Sequence, residues 1–581
     1  MSTFLTAQSL TLNYTSTALF NELTFTINRG DKIGLIGHNG CGKSSLLKLL
    51  DGQFEPSSGQ IAKANHCLMR YVEQHIPLAL HDQSVLSALA ESLPDDEAWR
   101  AELLLGELGF NEDEWQMPVA NCSGGQQMRL LLARAIIHQP DLLLLDEPSN
   151  HLDLPSLMWL EQFLSDWKGS FVLVSHDQTL LDRVTNTTWV MRDHALHHFS
   201  LPCSQARMAL SEKDQQDKQR YLSEQKEIDR IEKSAKRLAT WGKVYDNEDL
   251  ARKAKTMFAR KERLEEEQTE LTDGTPWALE LKGDALPANR LLEVTPFSVT
   301  PPQSDHYLFD MVEKRVKSGD RIAVLGSNGC GKSTLLNLLH HSYQAQLEAE
   351  LTGALSPAIT FHDRCRLGYY DQSLNQLNDH DTIRDALLNF AAISEEYAKR
   401  ALISAGFEYA RHGQTVSCLS GGERARLLFV GLTLARYHLL FLDEPTNHLD
   451  MEGKEELIET LNQFEGAALL VSHDRSLIEQ SCNRFWFIQD GELTEYLSPD
   501  EVYQQITEYS LTQNQPAKQS NKVEIGQAFS AMTDTNEEQL LERLLTLETL
   551  LEEDLQRKPK HQKPNLQEQW QEEITQINQQ L

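Results

Sequence analysis

Two short stretches of the chain have the glycine spacing of a phosphate-binding loop. Glycines let backbone N–H groups curl around phosphate, and the helix expected after each stretch adds a favourable dipole. Lys43 and Lys332 are placed to reach the β- and γ-phosphates of a nucleotide, and Ser44 and Ser333 can bind Mg²⁺. The expected nucleotide-binding residues are Gly37, His38, Asn39, Gly40, Cys41, Gly42, Lys43, Ser44 and Ser45 in the first stretch, and Gly326, Ser327, Asn328, Gly329, Cys330, Gly331, Lys332, Ser333 and Thr334 in the second.

A pair of acidic residues follows four consecutive apolar residues in each half of the chain. A fully apolar strand is typical of a sheet that is covered on both faces. At the end of such a strand, Asp146 or Asp443 can hold Mg²⁺ through water, while the adjacent glutamate polarises the attacking water. We therefore expect Glu147 and Glu444 to be catalytic.

A serine and two glycines begin a predicted helix in each half. Backbone donors exposed at the positive end of a helix can bind an anion, although a Ser-Gly-Gly sequence alone is usually a turn. The residues concerned are Ser123, Gly124 and Gly125, and Ser420, Gly421 and Gly422.

The elements that position these residues are predicted to be parallel strands and the helices that follow them. Each phosphate loop follows an apolar run and precedes a helix-like run, which is the strand, loop and helix order that the motif requires. The Ser-Gly-Gly and acidic motifs of the two halves are separated by the same 297 positions. The sequence therefore predicts an α/β fold with two equivalent phosphate-loop domains in tandem, 1–203 and 285–505.

Taken together, the motifs resemble those of ATP-binding cassette proteins, and we call 1–203 the first cassette and 285–505 the second cassette. In that family the Ser-Gly-Gly helix contacts the γ-phosphate of ATP bound to the opposite cassette. The resemblance implies ATP and Mg²⁺ as cofactors and an intramolecular cassette dimer driven by ATP. Lys43 would then share a site with Ser420, and Lys332 would share a site with Ser123.

Two further motifs match the family's glutamine loops and switch histidines. The resemblance implies that Gln74 and Gln372 help to bind Mg²⁺ and the attacking water, and that His176 and His473 contact the γ-phosphate. A single glutamine or histidine is usually a surface or core residue, but the order of these motifs and their positions after predicted strands favour a functional role. The expected Mg²⁺ ligands are Ser44, Gln74, Asp146, Ser333, Gln372 and Asp443.

The sequence Asn-His-Leu-Asp after both acidic pairs resembles the hallmark of the F subfamily (ABC-F), and so does the layout of two fused cassettes joined by a charged linker. Two departures, Cys122 in place of leucine and Ser149 in place of threonine, leave the catalytic groups intact. Members hydrolyse ATP and typically bind the ribosome at the tRNA exit site. The resemblance implies an ATPase whose closed, ATP-bound form binds the ribosome, regulates translation or protects or rescues ribosomes, and is released on hydrolysis.

The interdomain linker, 204–284, is predicted to be a long α-helical hairpin with its bend near 241–247. Between Lys233 and Arg263 the local charge is +6, although the whole chain carries −32. A solvated helix pair is the alternative, but basic residues with Trp241 and Tyr245 near the bend favour contact with rRNA and tRNA.

The C-terminal segment, 506–581, is expected to contain a flexible stretch and a helical, coiled-coil hairpin with a basic connector at 557–564. This connector leaves open a second function, that of an ATPase that binds DNA through its tail. A third possibility is the ATPase subunit of a transporter with separate membrane subunits, because such subunits share the ATPase motifs.

Composition narrows the class of protein. No apolar run approaches the roughly 18 residues that a membrane span needs, and the N-terminus lacks the pattern of a leader, so we expect a cytoplasmic protein without an integral membrane segment. Eight cysteines without CxxC spacing indicate neither a disulfide framework nor a zinc site. The net charge of −32 argues against a surface that coats nucleic acid along its whole extent.

Overall fold

The computed structural model describes most of the chain up to Gln513. The described residues are 2–14, 17–91, 93–94, 97–150, 152–244, 248–266, 268, 281–287, 290–301, 307–352, 358–391, 393–447 and 449–513. Met1–Glu161 and Gly169–Asn514 form one compact unit, which contains both cassettes and the linker. A second unit combines Gln162–Lys168 with Gln515–Leu581, and the latter range lies outside the described residues.

The first cassette has a six-stranded sheet and a smaller antiparallel sheet of three strands. Its strands are β1 (Thr3–Tyr14), β2 (Thr17–Asn28), β3 (Lys32–Gly37), β4 (Ser58–Lys63), β5 (Met69–Val72), β6 (Leu142–Asp146), β7 (Ser170–Val174), β8 (Thr187–Arg192) and β9 (Ala195–Phe199). Its helices are α1 (Lys43–Asp51), α2 (Val85–Ala90), α3 (Trp99–Glu107), α4 (Gly124–Ile136), α5 (Leu154–Asp166) and α6 (Gln178–Val184).

The strand order of the larger sheet is β5-β6-β7-β3-β8-β9, and only β9 runs antiparallel to its neighbour. Every residue of β6 and β7 is buried, as expected for central strands covered on both faces. One apolar cluster joins both sheets to α1 through Leu46 and Leu47. This packing holds the start of α1, and therefore the first phosphate loop, against the sheet.

Two long helices connect the cassettes: α7 (Cys203–Val244) and α8 (Glu248–Glu266). They pack along each other, with Ile228, Ile231 and Ala254 buried between polar surfaces. The chain therefore reverses direction between the end of α7 and the start of α8. The predicted bend, 241–247, was too long, because α7 continues through 241–244. Its remaining residues, 245–247, lie outside the described residues. A glycine inside a helix costs only about 1 kcal/mol relative to alanine. The helix is also stabilised there because Arg237 stacks on Trp241, one turn later, at 5.3 Å.

The second cassette repeats the architecture. Its strands are β10 (Leu292–Val294), β11 (Phe297–Val299), β12 (Phe309–Met311), β13 (Lys314–Val316), β14 (Arg321–Gly326), β15 (Ile359–Phe361), β16 (Leu367–Tyr370), β17 (Leu439–Asp443), β18 (Ala467–Val471), β19 (Arg484–Gln489) and β20 (Glu492–Tyr496). Its helices are α9 (Lys332–Thr352), α10 (Ile383–Leu388), α11 (Glu395–Ser404), α12 (Gly421–Ala435), α13 (Met451–Gln463), α14 (Arg475–Ser481) and α15 (Pro499–Gln513).

The larger sheet of this cassette has eight strands in the order β11-β12-β20-β19-β14-β18-β17-β16, beside a three-stranded sheet. Strands β14, β18, β17 and β16 are parallel, which matches β3, β7, β6 and β5 of the first cassette. The α/β fold with two tandem cassettes is confirmed. The predicted C-terminal hairpin and the DNA contact that rests on its connector lie outside the described residues. Of the predicted C-terminal segment 506–581, the structure describes 506–513, which belong to α15.

Among the described residues, no helix is both long enough and apolar enough to cross a membrane.

Candidate active sites between the cassettes

The parallel strands bring the motifs of each cassette to one edge of its sheet. In the first cassette, β3 ends at Gly37, and the last residue of β6, Asp146, lies beside the last residue of β7, Val174. The second cassette pairs Asp443 with Val471 in the same register. Because the carboxyl ends of parallel strands meet at this edge, the phosphate loop, the acidic pair and the switch histidine become neighbours.

The phosphate loops require glycine for both conformation and space. Gly37 has φ 155° and Gly326 has φ 152°, in a region that favours glycine. A Cβ atom on Gly37 would lie 2.4 Å from the carbonyl oxygen of Met191, and one on Gly326 would lie 2.8 Å from that of Ile488. The backbone of each loop therefore approaches the neighbouring strand more closely than a side chain allows.

The two loop lysines are buried and donate hydrogen bonds to their own loops. Lys43 Nζ lies 2.8 Å from the carbonyl oxygen of Gly37, and Lys332 Nζ lies 2.9 Å from that of Gly326. Each ammonium group also donates to the carbonyl oxygen of the next loop residue, so both cations are held within their loops, where they can bind phosphate.

A hydroxyl group and a carboxylate lie together in each cassette, as Mg²⁺ coordination requires. Ser44 Oγ donates to Asp146 Oδ1 at 3.0 Å, and Ser333 Oγ donates to Asp443 Oδ1 at 3.0 Å. Burial raises the pKa of both aspartates, that of Asp443 to about 6. A desolvated carboxylate beside a hydroxyl is a group that a divalent cation would stabilise, so these residues fit the expected metal. Tyr71, which donates to Asp146 Oδ2 at 2.9 Å, was not predicted.

Each expected catalytic glutamate lies against the switch histidine of its own cassette. The distance from His176 Nε2 to Glu147 Oε1 is 3.3 Å, and that from His473 Nε2 to Glu444 Oε1 is 3.4 Å. Both glutamates have φ 49°, in the left-handed region, which turns the chain sharply after the strand and aims the carboxylate into the interface.

The two glutamates differ in electrostatics. Burial would raise the pKa of Glu147, but His176 and the amide of Asn150 outweigh it and lower the pKa to about 2. Burial raises the pKa of Glu444 to about 8, against the opposing effect of Lys332. Burial also lowers the pKa of His473 to about 3. The second pair is therefore the more desolvated of the two.

The signature serines cap the helices that they begin. Ser123 accepts from the backbone N–H of Gln126 at 3.3 Å at the start of α4, and Ser420 accepts from that of Glu423 at 3.3 Å at the start of α12. Each N3 side chain closes a capping box in return. Both helix ends therefore present backbone donors in a fixed direction.

One cleft of about 1270 Å³ is lined by residues from both cassettes. The first cassette contributes His38, Asn39 and Gly40 of its phosphate loop, Gly124 of its signature, Glu147 and His176. The second contributes Asn328, Gly329, Gly331, Lys332, Ser333, Thr334, Gln372, Ser420, Gly421, Gly422, Glu444 and His473. Phosphate-loop and signature residues of opposite cassettes thus share one space.

Several expected residues do not line this cleft. Among them are Lys43, Ser44 and Ser123 of the first cassette. Gln74 is exposed beyond the end of β5 but is not part of the cleft wall, whereas Gln372 is.

Contacts across the cassette interface involve residues that sequence reasoning missed. His38 Nδ1 lies 3.4 Å from Asp450 Oδ2, and the backbone N–H of Asn328 donates to Asp153 Oδ2 at 2.9 Å. Asp153 and Asp450 end the Asn-His-Leu-Asp runs, and their placement immediately after the catalytic motif is the signal that could have identified them. Asn150, in the same run, could have been found in this way too.

Comparisons with known proteins agree with this geometry. A family model described as ABC transporter matches residues 20–150 and 309–447. The probable ATP-binding protein YheS of Haemophilus influenzae is 31% identical over 85% of this chain and 81% of its own length. The ABC transporter F family member 4 of Arabidopsis thaliana is 30% identical over 86% of this chain and 76% of its own length. The chain belongs to the F family of ATP-binding cassette proteins.

Two further similarities extend the comparison of this ABC-F protein. The ribosome protection protein VmlR of Bacillus subtilis is 31% identical over 83% of this chain and 86% of its own length. The solved structure of the archaeal ribosome recycling factor aABCE1 superposes with a TM-score of 0.58 over 86% of this chain and 92% of that chain, at 17% identity, which shows a shared fold. As an ABC-F protein with two cassettes, the chain binds and hydrolyses ATP.

Proposed function

We propose that this ABC-F ATPase acts in the cytoplasm, closes its cassettes around two ATP molecules, binds the ribosome in that form near the tRNA exit site, and leaves after hydrolysis. The observation that carries the proposal is a basic, exposed helical hairpin on a strongly acidic protein. Arg252, Lys253 and Lys255 are all exposed on α8, and Trp241, which is 46% exposed near the end of α7, carries Arg237 over its ring. Cations beside an exposed aromatic ring suit phosphate contact and base stacking. The relative VmlR, named a ribosome protection protein, supports the same partner.

Within each site, the chain's own residues take distinct roles in hydrolysis. Lys43 and Lys332 bind the terminal phosphates, and the signature helix of the opposite cassette presents its backbone donors to the γ-phosphate. Glu147 and Glu444 orient and polarise the attacking water. His176 and His473 contact the γ-phosphate. Mg²⁺, bound by the serine and aspartate pairs with Gln74 or Gln372, would neutralise phosphate charge.

Ribosome binding is tested with the variant Glu147→Gln/Glu444→Gln, which should close on ATP without hydrolysing it. We expect this variant to sediment with ribosomes in ATP, and the further change of Arg252, Lys253 and Lys255 to glutamate to reduce the bound fraction about tenfold or more, because phosphate contacts are lost. Changing Lys213, Lys218 and Arg220 on α7 to glutamate alters the charge equally and should have little effect.

If both triple variants lost ribosome binding equally, binding would depend on the net charge of the protein rather than on the α8 surface. An excess of deacylated tRNA should compete with the protein if the exit site is the place of binding, and undiminished binding would assign another ribosomal site. Absence of sedimentation with intact ATP binding would overturn the proposal.

A further inference from the structure

Helices α6 and α14 follow the switch histidines His176 and His473, and we call them the switch helices. They meet at the interface between the cassettes. Each begins with an aspartate that caps it: Asp177 accepts from the N–H of Leu180 at 2.9 Å, and Asp474 accepts from that of Leu477 at 3.0 Å. Because α6 and α14 are in contact, the two capping aspartates bring like charges together. Burial and the nearby charge of Asp474 both raise the pKa of Asp177, which is the expected result of such a meeting.

Two cations of the second cassette lie at this junction. Arg475 pairs with Glu161 of the first cassette at 2.5 Å, whereas Lys454 contacts the cap of α14 and the main chain of the first cassette. Lys454, on α13, places its Nζ 2.7 Å from Asp474 Oδ2 and donates to the carbonyl oxygen of His176 at 3.1 Å. Burial would lower the pKa of Lys454, but Asp474 and Asp177 raise it, so the side chain remains an ammonium group. It therefore bonds to both cassettes at once.

The first cassette has no equivalent cation. In the 297-residue repeat, the position equivalent to Lys454 is Leu157. Leu157 is a buried apolar residue of the cleft wall. A dimer of identical chains would place two lysines or none beside these caps. One fused chain can place a single lysine beside the two carboxylates, which reduces their combined negative charge without cancelling it.

We propose that Lys454 is a positioning residue that allows the switch helices to meet, and that closure of the cassettes around ATP depends on it. It pairs with Asp474, lowers the repulsion between the two cap aspartates, and donates to the carbonyl oxygen of His176 in the opposite cassette. Without it, Asp474 loses this ion pair while Asp177 lies nearby and Arg475 stays paired with Glu161, and an unpaired buried charge is strongly unfavourable. This inference rests on the part of the proposed function in which the cassettes close around ATP, and it does not depend on ribosome binding.

The experiment measures how fast radiolabelled ATP is released from Glu147→Gln/Glu444→Gln after an unlabelled chase. We expect Lys454→Leu, which copies Leu157, to release ATP about tenfold or more faster, because the closed form loses its counter-charge. Lys454→Arg keeps the cation and should remain near the parent. Asparagine still caps a helix, so adding either Asp177→Asn or Asp474→Asn to Lys454→Leu should restore slow release.

The two rescues separate this role from a purely local one. If only Asp474→Asn restored slow release of ATP, Lys454 would merely pair with the aspartate of its own cassette. If Lys454→Leu released ATP as slowly as the parent variant, closure would not need the cation. Either result overturns the proposal. Failure of both rescues, in variants with unchanged thermal unfolding, would also overturn it. Slow release without sedimentation on ribosomes would contradict the proposed function while leaving this inference intact.

Discussion

Two glutamates at equivalent positions lie in unlike surroundings. Glu147 is hydrogen-bonded by Asn150 and has a pKa lowered to about 2, whereas burial raises that of Glu444 to about 8. The flanking sequences are nearly identical, so sequence alone does not distinguish the two sites. The difference arises from side-chain positions at the interface, which no local pattern encodes.

The contact of His38 with Asp450 predicts that closure depends on pH. The hydrogen bond to Asp450 raises the pKa of His38 above its ordinary value, with further help from Glu452 at 3.7 Å. When the cassettes part, His38 loses this partner. The stabilisation of the closed form is therefore complete below the ordinary histidine pKa and is lost as pH rises through the raised value.

We expect release of ATP from Glu147→Gln/Glu444→Gln to be about two- to fivefold faster at pH 8 than at pH 6, the range for a partly exposed pair. The variant His38→Ser copies Ser327 of the second loop and should lose this part of the pH dependence. An identical pH profile for both proteins would show that the pair does not contribute.

At the scale of elements, the sheets and their motif-bearing edges could be predicted because apolar runs, glycines and acidic pairs are local signals. Leu142–Leu145 and the loops after β3 and β14 lie as that pattern indicates. The length of the linker bend could not be predicted from the sequence, because the packing of α7 on α8 keeps the chain helical through the glycine at 242. Contacts between elements far apart in sequence, such as Asn328 with Asp153, also had no local signal.

The base of α7 is bonded to both cassettes by one arginine. Arg207 donates to Gln178 of the first cassette at 2.8 Å and makes a bidentate ion pair with Glu455 of the second, with Nη2 2.7 Å from Oε2. Gln178 begins α6, and Glu455 lies on α13. Closure of the cassettes is needed for Arg207 to reach both partners.

We expect Arg207→Gln to lose most of the protection from hydrogen exchange that ATP confers on the first turns of α7, because only the closed form offers both partners. Protection of the phosphate loops should persist. The control Arg220→Gln removes an ion pair with Glu224 within the same helix and should leave exchange at the base of α7 unchanged. Unaltered protection in Arg207→Gln would exclude this link.

At the scale of the whole molecule, one chain contains both halves of the cleft, and the charges are divided between an acidic bulk and a basic hairpin. The repeat of 297 residues predicted the paired cassettes. The asymmetry between them, with Lys454 opposite Leu157, became meaningful only when the fold placed these positions at the interface.

Because both halves lie in one chain, ATP hydrolysis per chain should not depend on protein concentration. We expect constant specific activity on dilution from about 10 µM to about 10 nM, since an intramolecular partner keeps a fixed effective concentration. Mixing in an excess of Glu147→Gln/Glu444→Gln should leave the activity of the wild type unaltered. A decline on dilution would instead indicate that cassettes pair between chains.

The length of α7 has a mechanical consequence. Its 42 residues, at about 1.5 Å each, form a rod of roughly 60 Å that is fastened near one end by Arg207. A tilt of about 5° at that end moves the far end by roughly 5 Å, close to the rise of one helical turn. A helix of this length would act as a lever, so that a small tilt at its base would become a displacement of several ångströms where Trp241 is exposed.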